Sequence, residues 1–362
     1  MPPIRVLLVD DSTVSRQVLD RILSSDPDLT VIGEAANGPT AIRMAESKKP
    51  DIILMDIIMP GMNGYDTTRT IMENSPVPII IISAIEDPKE VSVIFQAMQA
   101  GALTCMKKPS GLKSPSFNQE SKELIRMVKS MAGIRVVRRR PSVKAGIAPC
   151  SEKQSHAEID HSQRKIIAIG VSTGGPVVLQ EILSKIPKDF PLPIVIVQHI
   201  ASGFYEGFAT WLASTTGYPV RLGTDQTPLM PGIAYIAPEG YQTGIDPHMC
   251  LRFLGREPEN GLRPSVAALF RSLSENWGKS TVAILLTGMG SDGARELRLL
   301  RDRGALTIVQ DKESSVVYGM PGEAVRLNAA ECVLTPQGIA DLLRQIGTST
   351  NAEYQKTIDR KV

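Results

Sequence analysis

The sequence predicts two consecutive α/β domains, each built on a doubly wound, mostly parallel sheet. Short apolar runs alternate with amphipathic segments over most of the chain. That alternation fails from about Gly133 to Gln163, where Arg, Lys, Ser, Pro and His accumulate with little periodicity. Polar residues with chemical potential collect just after the apolar runs, where open parallel sheets place their sites. A length of 362 residues gives each domain room for its own core, and 42% hydrophobic with 22% charged residues is a globular balance.

In the first part the apolar runs read as strands at Ile4–Val9, Val31–Glu34, Ile52–Met55, Ile79–Ile82 and Leu103–Met106, with helical patterns between them. A final helix over Phe117–Met131 places Leu124, Ile125, Val128 and Met131 on one face. Residues 1–130 are therefore expected to form one domain and 131–163 a linker. The basic run Arg135–Arg140 in that linker reads as solvated charge. A second domain is expected over 164–347, with strands at Lys165–Val171, Ile194–Gln198, Ile233–Ile236, Thr281–Leu286, Ala305–Val309 and Cys332–Leu334. A helix over Phe204–Thr216 puts Phe204, Phe208, Trp211 and Leu212 at core spacing, and Tyr241–Phe253 is expected to form a hairpin beside the parallel sheet. The segment 348–362 reads as a polar, frayed tail.

Composition narrows the function classes. Net charge is +2 with Lys and Arg spread along the chain, and no helix-turn-helix or basic recognition helix is evident, so nucleic acid is not an expected partner. Cys105, Cys150, Cys250 and Cys332 are far apart and lack C-x-x-C spacing, which argues against a disulfide framework or zinc site. The start MPPIRVLLVDD does not read as a signal peptide, and no run approaches the length of a spanning helix. A cytoplasmic protein, not embedded in a membrane, is the expectation.

Asp10 and Asp11 follow the first strand, Asp56 the third, Ser83 the fourth and Lys108 the fifth. Three carboxylates at one sheet edge repel one another unless a cation joins them, and an oxygen-seeking Mg²⁺ suits them. Such a site can hold Mg²⁺ while one carboxylate attacks a phosphoryl group, with a hydroxyl and a lysine on the phosphoryl oxygens. Singly the signals are weaker: Asp10 and Asp11 could cap the next helix, and Lys108 could be a surface residue. The segments VLLVDDS, LMDIIMPGMNG, IISA and KKP resemble the receiver domains of two-component response regulators over residues 1 to about 130. The resemblance implies a flavodoxin-like receiver domain in which Asp56 accepts phosphate from a sensor histidine kinase. It also implies Asp10, Asp11 and Asp56 as Mg²⁺ ligands and Ser83 and Lys108 as phosphate contacts. One departure is Cys105, three positions before the lysine, where an aromatic switch residue often sits.

In the second part KIIAIGV runs into Ser172-Thr173-Gly174-Gly175-Pro176, so Gly170 to Gly174 satisfy G-x-S-x-G across a strand–turn–helix junction. That is the context of a nucleophile elbow, although a phosphate-cradling loop has similar needs. The spacing does not fit G-x-G-x-x-G, and the acidic residue a dinucleotide site wants about 20 positions on is replaced by Gln198-His199. His199 ends the strand IVIVQ and should share a sheet edge with Ser172. TVAILLTG leads into the Gly-rich turn Gly288–Ala294, where Asp292 either caps the following helix or orients His199. The backbone N–H groups of that turn suit an oxyanion hole. The chain order Ser…His…Asp is not that of α/β-hydrolases.

IGVSTGGP, VQHI, PGIAYIAP, RPSV, LLTGMGSDGA and QDKESSVVYGMP, in that order over about 165–347, resemble the catalytic domain of the chemotaxis protein-glutamate methylesterases (the CheB family). The resemblance implies Ser172 as nucleophile, His199 as general base and Asp292 as its orienter, with Thr173 and the backbone N–H of Met289 shaping the oxyanion site. It implies a phosphorylation-activated serine hydrolase that demethylates glutamate methyl esters and deamidates glutamines on methyl-accepting chemoreceptors. In the family precedent the unphosphorylated receiver shields the active site. The departures are Ile200-Ala201, where the family has Met-Pro, and Pro238–Gln242 after the Ala-Pro turn; both bear on receptor preference. The alternatives are a non-enzymatic response regulator that binds a partner, a transcription factor, and a nucleotide-binding domain.

Overall fold

The computed structural model describes residues 2–84, 88–111, 114–134, 136 and 163–359, and its elements fall into two compact units. The first unit holds β1 (Ile4–Val9), α1 (Thr13–Leu23), β2 (Leu29–Ala35), α2 (Gly38–Lys48) and β3 (Ile52–Asp56). It continues with α3 (Gly64–Asn74), β4 (Ile79–Ser83), α4 (Pro88–Ala100), β5 (Thr104–Lys107) and α5 (Phe117–Ala132). Its five strands run in the order β2-β1-β3-β4-β5, all parallel. β3 and β4 are buried at every residue, as strands covered by helices on both faces must be. The helices start where side chains satisfy orphan amides: Ser12, Asn37 and Asn63 each accept a backbone N–H in the first turn that follows. On α5, Leu124, Val128 and Met131 are buried and Ile125 is half-buried.

The second unit opens with β6 (Ile166–Val171), α6 (Gly175–Leu183), β7 (Ile194–Gln198), α7 (Tyr205–Thr216) and β8 (Val220–Leu222). β9 (Thr227–Pro228), β10 (Ala234–Ile236), β11 (Gln242–Ile245), β12 (Cys250–Gly255) and α8 (Val266–Asn276) follow. The last elements are β13 (Thr281–Leu285), α9 (Ala294–Asp302), β14 (Leu306–Gln310), α10 (Met320–Arg326), β15 (Cys332–Leu334) and α11 (Pro336–Asp359). Seven strands form a parallel sheet in the order β15-β14-β13-β6-β7-β10-β8. The chain starts in the middle at β6, winds outward through β7, then returns to β13 on the other side. The ends of β6 and β13 therefore flank a topological switch point, the place where such sheets bind ligands.

Three expectations need correction. The Tyr241–Phe253 hairpin forms, but in a separate antiparallel sheet in which β12 pairs with β11 on one side and β9 on the other. Residues 348–359 are not a frayed tail, since α11 continues to Asp359. Ile339, Ala340, Leu343 and Ile346 bury its earlier turns, and helix elongation from an anchored start needs little further support. The expected linker overlaps α5, which runs to Ala132 because Met131 keeps its last turn on the core. The basic run Arg135–Arg140 (Val136 apart), Cys150, His156, His161 and residues 360–362 lie outside the described residues.

Gly170, near the end of β6, shows how tightly the switch point is packed. A Cβ there would collide with the Val266 side chain at the start of α8 and sit 3.0 Å from Leu285 Cδ1. Overpacking of this kind costs about 1–3 kcal/mol. Gly170→Ala is accordingly expected to lower the unfolding free energy of the C-terminal unit by that amount, read as a lower urea midpoint, and an unchanged midpoint would contradict the packing.

Candidate active site and acidic pocket

Ser172 follows β6 directly, and its N–H donates to the Thr287 carbonyl at 3.0 Å while its own carbonyl accepts from Gly175 N–H at 2.9 Å. The second bond closes the turn into α6. Gly174 takes φ +80 in that turn, and a Cβ on it would lie 2.6 Å from Val316, so the motif's second glycine is needed twice over. Gly288 is needed for a different reason: its backbone is so close to the nucleophile that a Cβ would stand 2.7 Å from Ser172 Cβ. The Gly-rich turn after β13 is thereby pressed against Ser172.

His199 follows β7, the neighbour of β6, and its N–H donates to Val171 carbonyl at 3.0 Å. Its Nε2 lies 2.9 Å from Asp292 Oδ2. Asp292 does not cap α9, whose N-cap is Gly293 without a side-chain bond. Instead it reaches the start of α8: Oδ2 accepts Val266 N–H at 2.6 Å and Oδ1 accepts Ala267 N–H at 3.1 Å. A buried carboxylate is costly unless hydrogen-bonded, and the two amides at a positive helix end supply what it needs. Among the described residues the backbone N–H groups of Thr173 and Met289 have no acceptor within the chain. Thr173 is buried, and its carbonyl accepts from Thr287 Oγ1 at 2.9 Å.

Sequence reasoning missed the polar side chains beneath these loops. Gln198 and Gln310 end the apolar strands β7 and β14, and Thr287 follows β13; all three are buried. Gln198 Nε2 donates to the carbonyls of Ser172 at 3.0 Å and His199 at 2.8 Å. Gln310 Oε1 accepts Thr287 N–H at 2.8 Å. A polar residue closing an otherwise apolar strand was the available signal.

In the first unit the order 2-1-3-4-5 puts its switch point between β1 and β3, and Asp10, Asp11 and Asp56 follow or end those two strands. Each offers an oxygen within 4.8 Å of the others. Asp10 does not cap α1; Ser12 does, while Asp10 Oδ1 accepts Ser12 N–H at 2.9 Å. Lys108 is no free surface residue: its Nζ pairs with Asp10 Oδ2 and Asp56 Oδ2 at 2.8 Å each. Burial pushes the Asp56 carboxyl up to about 6 even though Lys108 opposes it, and the nearby Asp10 charge adds to the rise. Burial works against the Lys108 charge, but the two carboxylates outweigh it and raise its pKa. Ser83 ends β4, buried, and its carbonyl accepts Lys108 N–H at 2.8 Å. The pocket is thus three hard oxygen donors facing one cation, a donor set that suits Mg²⁺. Cys105 is buried in β5, and burial pushes its thiol up to about 12, which marks an inert packing residue.

An acidic pocket on one parallel α/β unit and a serine elbow on another define the class: a receiver-type domain coupled to a catalytic-type domain. The family model described as CheB methylesterase matches residues 167–343, and that of the response regulator receiver domain matches residues 6–114. The protein-glutamate methylesterase/protein-glutamine glutaminase 2 of Methanospirillum hungatei is 47% identical over 344 residues, 95% of this chain and 98% of the relative. The corresponding protein 4 of Geobacter metallireducens is 45% identical over 95% of this chain and 99% of its own. The crystal structure of the Thermotoga maritima CheB methylesterase catalytic domain is 36% identical, covering 51% of this chain and 98% of that one at a TM-score of 0.49. The chain belongs to the protein-glutamate methylesterase/protein-glutamine glutaminase family.

The acidic pocket makes a direct prediction. Calorimetric titration of the full chain with Mg²⁺ should give one binding event, weakened at least about tenfold in Asp11→Asn. Equal affinity in the two proteins would remove Asp11 from the ligand set.

Proposed function

We propose that the chain is a phosphorylation-activated protein-glutamate methylesterase that also deamidates glutamines, acting on chemoreceptors with Ser172 as nucleophile. The observation that carries this reading is the convergence of Ser172, His199 and Asp292 beyond three adjacent strands, with Asp292 at 2.9 Å from His199 and held by two amides of α8. Because Nε2 of His199 faces Asp292, Nδ1 is the ring nitrogen left to take the Ser172 proton.

Ser172 Oγ attacks the γ-carbonyl carbon of a glutamate methyl ester as its proton passes to His199. The oxyanion is met by the backbone N–H groups of Thr173 and Met289, which are free of other acceptors among the described residues. The C–O bond to the methoxy group breaks, His199 returns the proton, and methanol leaves. Water, deprotonated by His199, then attacks the acyl-enzyme and restores Ser172, leaving a glutamate carboxylate. A glutamine side chain follows the same path with ammonia as leaving group.

Asp56 takes the phosphoryl group from a sensor histidine kinase. Asp10, Asp11 and Asp56 would hold Mg²⁺, which supplies charge neutralisation to the phosphoryl oxygens. Lys108, already 2.8 Å from Asp56, and Ser83 contact those oxygens. The proposed domains are a receiver over 1–130 whose last helix runs on to Ala132, a linker from there to 163, and a catalytic domain over 164–347 whose last helix continues to Asp359. Among the described residues no helix is long and apolar enough to cross a membrane, and the proposed site of action is the cytoplasm.

Removing the Asp292 side chain would orphan two amides at about 1–3 kcal/mol each, mixing stability with catalysis. Asp292→Asn keeps one acceptor oxygen and leaves a single α8 amide without its acceptor, so unfolding temperatures measured beside the rates separate that loss from the effect on His199. The variant is expected to lower kcat about 10³- to 10⁴-fold, and a loss below tenfold would remove Asp292 from the triad. A serine-directed fluorophosphonate should label the wild type but not Ser172→Ala; equal labelling would place the nucleophile elsewhere. Acetyl phosphate with Mg²⁺ should stimulate methanol release by the wild type and have no effect on Asp56→Asn. Equal stimulation of both would contradict phosphorylation at Asp56.

A further inference from the structure

We infer that Gln198 is a positioning residue for the esterase reaction, locking the nucleophile and the base to one another through a single side-chain amide. The inference rests on the proposed roles of Ser172 and His199. β6 and β7 pair in parallel, with Val171 opposite Gln198, and His199 N–H to Val171 carbonyl closes the ladder between them. Beyond that point the two chains part. Ser172 turns its N–H to Thr287 on the β13 side, and the chain then folds into α6. The backbone ladder no longer ties the residue carrying the nucleophile to the residue carrying the base.

Gln198 restores the tie from the side. Its Nε2 carries two hydrogens, and it meets two carbonyls, Ser172 at 3.0 Å and His199 at 2.8 Å. The side chain is 2% exposed, so both bonds form away from competing water. The elbow is shaped to receive it. A Cβ on Gly175, the first residue of α6, would overlap Gln198 Oε1, so the glycine leaves the volume that the amide occupies. Gln310 and Thr287 act one step further away, since Gln310 holds Thr287 N–H and Thr287 Oγ1 holds the Thr173 carbonyl. Of these buried polar groups, Gln198 alone bonds both the Ser172 and the His199 carbonyl.

The chemistry leaves little room for substitution. Glutamate at neutral pH accepts but does not donate, and asparagine is one methylene too short to reach both carbonyls. Methionine fills similar volume without a donor. A displacement of about 1 Å between nucleophile and base costs on the order of 100-fold in rate, whereas the receptor-binding surface is not touched. The expected signature is therefore a fall in kcat without a change in KM.

The test is steady-state methanol release from methylated chemoreceptor membranes by full-length Gln198→Met and Gln198→Asn, with unfolding temperatures measured beside the rates. The expected result is kcat about 10- to 100-fold below wild type, KM within about twofold, and an unfolding temperature near that of wild type. Wild-type kcat in either folded variant overturns the inference, as does a rise in KM that accounts for the whole loss. Failure of both variants to fold also overturns it, because Gln198 would then be a structural residue. Ser172→Ala run in parallel separates the two levels: methanol release by that protein refutes the underlying esterase reading whatever Gln198 does.

Discussion

Asp292 is a buried carboxylate, and the arrangement of the C-terminal site depends on how its charge is held. Both of its oxygens accept amides from the first turn of α8, and one of them also faces His199. The helix N-terminus can stabilise a partly buried anion by up to about 2 kcal/mol, and the two hydrogen bonds satisfy donors that would otherwise be orphaned. The same carboxylate thus meets the first turn of α8, capped by Ser265, and lies 2.9 Å from His199 Nε2. The glycines of the neighbouring segments follow from it, because α8 can approach β6 only where Gly170 offers no side chain to Val266.

The two units solve a similar problem with different chemistry. Each is a parallel sheet whose chain reverses direction beside its first strand, leaving a crevice beyond the strand ends. In the first unit that crevice collects three acids, and Lys108 bridges two of them. In the second it collects an alcohol, an imidazole and one acid whose charge is absorbed by backbone amides. The acids of the first crevice stay close together, as the proposed metal and phosphoryl roles require. Asp292, which on the proposed reading orients the imidazole, is buried and accepts two backbone amides.

Much of this was legible in the sequence because both sheets are buried on two faces, so their strands stand out as continuous apolar runs such as IVIVQ and TVAILLTG. The strand-end rule then singled out Asp56, Lys108, Ser172, His199 and Asp292. What stayed hidden depends on contacts distant in sequence. Asp292 sits beside the start of a predicted helix and reads either as its cap or as the partner of His199, and nothing in the sequence shows that its amide partners lie 26 and 25 residues earlier, at the start of α8. Gln198 reads as the end of a strand, and only the pairing of β6 with β7 shows that its amide serves both neighbours. The third sheet depends on β9, two residues long and too short to leave a pattern. The polar residues after 347 carry no helical signal of their own, and they continue α11 because its earlier turns are anchored.

The central claim is that Ser172 carries out ester hydrolysis on methylated glutamate. Its most direct test is methanol release from methylated chemoreceptor membranes by the wild type beside Ser172→Ala. The account predicts release by the wild type and none above background by the variant. Equal release by both proteins, or none from a wild type shown to be phosphorylated, would contradict it.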